Sequence, residues 1–69
     1  MLTEEQREIL RQAQKATSHD EAFDLTEPVS RAVIEQDDPE AVREFICRCP
    51  LAMLRAEARA WLETYGHGY

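Results

Sequence analysis

The sequence predicts an all-α fold, a compact bundle of four short helices that becomes five if the second one breaks. Three observations carry this expectation. Apolar residues recur at spacings of three and four along most of the chain, several segments open with helix-capping chemistry, and no stretch alternates apolar and polar residues as a strand does. With 69 residues, 43% of them hydrophobic and 32% charged, the chain has the composition of a folded domain rather than a disordered one. A single helical domain over residues 1–69 is therefore expected. A chain of this length buries only about 60% of the surface its unfolded form exposes, so its core is marginal.

Thr3 opens the first helix. Gln6 three residues later completes a capping box, Glu4 and Glu5 suit the positive end of the helix dipole, and Ile9, Leu10, Ala13 and Ala16 form a narrow apolar stripe ending near Ala16. Ser18 and Glu21 repeat the device and start a second helix near His19. Its face of Ala22, Leu25, Val29, Ala32 and Val33 crosses Pro28, which lacks an amide hydrogen and crowds the preceding turn. A break is expected there, with Thr26 capping a short new helix, because Glu27 before a proline is biased away from helical angles.

Asp38 as cap and Pro39 in the first turn mark the third helix after a connection at Gln36 and Asp37. Ala41, Val42, Phe45, Ile46 and Cys49 share one of its sides, and Pro50 predicts an end near Arg48 and a fourth start at Pro50 itself. Leu51, Leu54, Ala58, Trp61, Leu62 and Tyr65 make a wide apolar face on that last helix, which Gly66 closes in a left-handed conformation. Residues 66–69 are expected to fray. The core expected from these patterns is Ile9, Leu10, Phe23, Leu25, Val29, Val33, Val42, Phe45, Ile46, Leu51, Leu54, Trp61 and Leu62.

Net charge is −6 and unevenly spread: Asp20 to Glu44 holds nine acidic residues against Arg31 and Arg43. Such a balance disfavours direct nucleic-acid binding, where clustered Lys and Arg must displace counterions, although Arg48, Arg55 and Arg59 lie on the less acidic side. It suits a basic or nucleic-acid-associated protein partner. The longest apolar run, Leu51 to Leu54, is far short of the roughly 20 residues that span a bilayer. The amino-terminal segment is acidic where a signal peptide is basic, so a cytoplasmic location with no membrane partner is expected.

No enzyme is expected. Ser18 reads as a cap and Ser30 as a helix-surface residue, and no nucleophile elbow or glycine-rich phosphate loop exists. Cys47 and Cys49, with His19 and His67, supply four soft ligands, but residues two apart on a helix point about 200° apart, and no cofactor or metal is expected. A disulfide across one intervening residue is strained, which also weakens a redox reading of the pair. The leading expectation is a non-enzymatic adaptor or inhibitor that meets a basic partner through Asp20, Glu21, Asp24, Glu27, Asp37, Asp38, Glu40 and Glu44, with Met53 as an exposed apolar contact. A structural homo-oligomer and a cysteine-based metal or redox switch are the alternatives.

Overall fold

The computed structural model describes residues 1–67, and among them the chain forms four α-helices and no strand. They are α1 (Glu4–Gln14), α2 (His19–Glu35), α3 (Pro39–Arg48) and α4 (Ala52–Thr64). Helix α2 packs against each of the other three, α3 also lies on α1 and α4, and α1 and α4 do not meet. None of these helices is long and apolar enough to cross a membrane.

The caps act as their sequences predict. Thr3 Oγ1 accepts from the Gln6 amide at 3.0 Å while Gln6 Oε1 accepts from the Thr3 amide at 2.9 Å, satisfying two of the amides that a helix start leaves without partners. Ser18 Oγ accepts from the Glu21 amide at 3.1 Å, and Asp38 Oδ1 accepts from the Glu40 amide at 3.1 Å. Between α2 and α3 the chain reverses through Asp37 at φ 55°, a left-handed conformation that aspartate tolerates better than most residues.

Helix α2 does not break at Pro28, and the expected fifth helix does not form. Only the Asp24 carbonyl loses a hydrogen-bond partner to the proline, and both Asp24 and Pro28 are exposed, so water can serve that carbonyl. On the opposite side Ala22, Thr26, Val29, Ser30 and Val33 are buried on both flanks of the proline. A proline inside a helix costs about 3 kcal/mol, whereas burying a valine gains about 1.5–3 kcal/mol, so Val29 and Val33 together offset the defect.

The fourth helix starts at Ala52, two residues later than expected. Cys49 and Leu51 have extended backbones (ψ 129° and 120°) and are both buried, so the segment crosses the core as an extended strap before it coils. No side chain caps α4; instead Arg55 Nη1 reaches back to the Cys49 carbonyl at 2.8 Å and closes the end of α3.

At the other end of α4, Gly66 (φ 76°) is the left-handed residue of a helix stop. The His67 amide donates to the Leu62 carbonyl at 2.9 Å and the Gly66 amide to the Glu63 carbonyl at 3.2 Å, the paired bonds of a Schellman motif. Within the expected tail the His67 imidazole stacks on Trp61 at 5.6 Å and Arg43 donates to the His67 carbonyl at 2.9 Å. The remaining two residues of the expected frayed tail, Gly68 and Tyr69, lie outside the described residues.

All four helices supply one hydrophobic cluster, in which Leu10, Val33, Val42, Phe45 and Leu62 are almost wholly buried. Ile9, Phe23, Leu25 and Trp61, expected in the core, are only half-buried, and Tyr65 is exposed. Their places are taken by Leu2 and by small residues, Ala13, Ala22, Ala41 and Ala58, which let helices approach closely. Among the described residues, the buried side-chain oxygen Thr26 Oγ1 has no hydrogen-bond partner.

Candidate functional site

Because α2 is unbroken, its charges order themselves along one face. Asp20, Asp24, Glu27, Arg31 and Glu35 follow at spacings of four, three, four and four, which at 100° per residue keeps them within about 80° of one another. This stripe stands opposite the buried face. Asp20, Asp24 and Glu35 enter no ion pair among the described residues, whereas Glu27 accepts from Arg31 one turn on. Glu21 flanks the stripe at the helix start, where its carboxylate meets Thr17 Oγ1 at 3.5 Å.

The acidic run does not, however, gather into a single patch. A helix of 17 residues is about 25 Å long, so α2 holds Asp20 and Glu21 at one end and Asp37, Asp38 and Glu40 beyond the other. At that second corner Asp37 and Glu40 are exposed, while Asp38 caps α3 and accepts from the Met1 ammonium at 2.8 Å. That hydrogen bond, above all, holds the Asp38 carboxyl below its ordinary range.

Glu44 faces inward. Its side chain is 18% exposed and accepts from Arg7 Nε at 2.6 Å, Arg48 Nε at 2.9 Å and the Leu2 amide at 3.1 Å, so it ties α1 and the segment before it to α3. Chiefly through the Arg7 hydrogen bond, its carboxyl is lowered from 4.5 to about 2. This residue, expected on a partner-binding surface, has its charge met within the chain.

Beside the stripe, a groove of about 350 Å³ separates α2 from α4. Ser30 and Leu54, both buried, and the half-buried Ile34 form its floor; Glu27, Arg31 and Glu35 rim it on α2 and Glu57 on α4. Three carboxylates against one guanidinium leave this rim negative. Met53 is 55% exposed, as expected for a residue off the apolar face, and sits one turn before Glu57 on α4. Glu35 and Glu57 were not singled out by the sequence. The first was legible as the continuation of the 20-24-27-31 periodicity once α2 is taken as continuous; the second joins the groove only through the packing of α4 on α2.

The other chemistry-bearing residues are dispersed. Cys47 is exposed and Cys49 buried; Cys49 exchanges contacts of 3.4 Å with the Leu51 amide and carbonyl. Burial pushes the Cys49 thiol up, away from the thiolate that redox and metal chemistry use. Among the described residues no group of three or more His, Cys, Asp or Glu is placed to hold a metal ion. Arg7, Arg11 and Arg48 line a smaller hollow of about 200 Å³ with Gln14, but Arg7 and Arg48 turn onto Glu44 and Arg11 onto Glu8. Comparison with protein-family models, with curated proteins and with solved structures finds no match in any of the three.

Proposed function

We propose that this chain is a non-enzymatic protein-binding module, an adaptor or inhibitor, whose α2 stripe receives a basic partner. The observation that carries the reading is the stripe itself: Asp20, Asp24 and Glu35 stand on one exposed helix face, opposite the side that packs on the rest of the bundle, and among the described residues none of them forms an ion pair, although Glu35 also acts on Arg31 through its charge. Aligned carboxylates of this kind favour a cationic surface by long-range attraction, a term that weakens once salt shortens the screening length below about 10 Å. A basic protein, including one that itself binds nucleic acid, fits; a nucleic acid does not.

The test is capture from native lysate at low salt, comparing the chain with a variant carrying Asp20→Asn, Asp24→Asn and Glu35→Gln. A basic protein held by the first, released by moderate salt and not held by the second, supports the reading. Empty capture at low salt, or equal capture by a variant whose thermal unfolding shows it still folds, refutes it.

A second reading, a structural homo-oligomer, is favoured by a different face. Ala52, Met53, Ala56 and Ala60 are all exposed on one side of α4, leaving an apolar outer surface on a small bundle. Sedimentation equilibrium checks it: a single monomeric species up to millimolar concentration excludes it.

A further inference from the structure

We infer that the α2–α4 groove takes one aliphatic side chain from a basic segment of the partner, and that cations flanking that side chain settle on Glu35 and Glu57. The inference rests on reading the stripe as the partner's landing face, and specifies what the partner must carry. Glu27, Arg31 and Glu35 belong to both the stripe and the groove rim, so a segment lying along the stripe passes over the opening. The floor is largely apolar, formed by the half-buried Ile34 and the buried Leu54, with the buried Ser30 its one small polar side chain. At about 350 Å³ the groove lies at the small end of the roughly 300–1,000 Å³ range of ligand pockets, a size for a side chain rather than a cofactor.

Charge decides which segment fits. Glu35 and Glu57 stand on opposite walls and enter no ion pair among the described residues; Arg31 is held by Glu27 and feels Glu35 only through its charge. An acidic segment would meet these carboxylates with like charge. A purely apolar one would strip water from them and return nothing, which is costly for an ionised group. A segment with an aliphatic residue between lysines or arginines fills the hollow and pairs both walls. Met53, exposed one turn before Glu57, lengthens the apolar footing on the α4 side.

The probe is a lysine-rich heptapeptide with a central leucine, compared with the same peptide bearing a central glycine, each titrated at low salt into the full ¹⁵N-labelled chain. The leucine peptide should shift the amides of Ile34, Leu54 and Glu57 and bind at least about tenfold more tightly, the lower end of the factor expected from burying one leucine side chain. Ile34→Ala should weaken the leucine peptide and leave the glycine peptide unchanged, whereas Glu35→Gln with Glu57→Gln should weaken both. Equal affinities, or leucine-specific shifts centred on Ala52, Ala56 and Ala60, would overturn the groove while leaving the stripe standing. Failure of both peptides to bind at low salt would overturn the groove and the stripe together.

Discussion

Replacing Glu44 by glutamine removes a negative charge from between two arginines while leaving the side chain's shape in place. In the folded chain that carboxylate accepts from Arg7, Arg48 and the Leu2 amide, and its pKa is lowered from 4.5 to about 2. By linkage, a fall of that size corresponds to about 3 kcal/mol of folding free energy at neutral pH. Arg48 is 45% exposed and Arg7 still reaches water, so solvent screening reduces the working figure to about 1–2 kcal/mol. For a domain of this size that is a drop in melting temperature of about 5–15 °C. The sign follows from the depressed pKa: the contribution is fully present above pH 4.5 and is lost as pH falls toward about 2. Thermal melts of wild type and Glu44→Gln, followed by circular dichroism from neutral pH downward, should therefore differ most at neutrality and converge in strong acid. Equal melting temperatures at neutral pH, or a difference that persists unchanged down to the acid limit, would refute the clamp.

Pro28→Ala should stabilise the chain by about 1–3 kcal/mol, read by urea unfolding, because it restores an amide to a continuous helix; no gain would mean that α2 is interrupted there after all. Thr26→Val exchanges a buried hydroxyl without a partner for a methyl of similar shape and should raise stability by about 1 kcal/mol, with a loss in the same assay pointing to a hydrogen bond that the hydroxyl makes. In native protein an aromatic disulfide reagent should titrate Cys47 rapidly and Cys49 only as fast as the chain unfolds; rapid reaction of both would contradict the burial of Cys49.

The sequence by itself determined the local architecture. Thr3, Ser18 and Asp38 each place an oxygen where the first helical amides need an acceptor, Pro39 and Gly66 act through their own backbone preferences, and these effects reach only three or four residues. Helix identity, three of the four starts and the inward side of α3 were legible for that reason. The exposure of Met53 was legible too, since it follows from helical period alone.

Tertiary structure decided whatever depended on a partner distant in sequence. Local preference at Glu27 and Pro28 points to a break, but Val29 and Val33 are buried against other helices, and that longer-range gain keeps α2 whole. The same continuity aligns Asp20, Asp24 and Glu35 and carries Asp37 and Glu40 away from Asp20 and Asp24, dividing an acidic run that composition alone presents as one. Glu44 reads as one more surface acid until the fold brings Arg7, 37 residues earlier, to its carboxylate. Glu57 has no role readable from its neighbours in sequence and enters the groove only because α4 packs on α2. A helix cap is settled by atoms within one turn, whereas a groove or an ion pair between helices requires segments whose meeting is set by burial of the whole core.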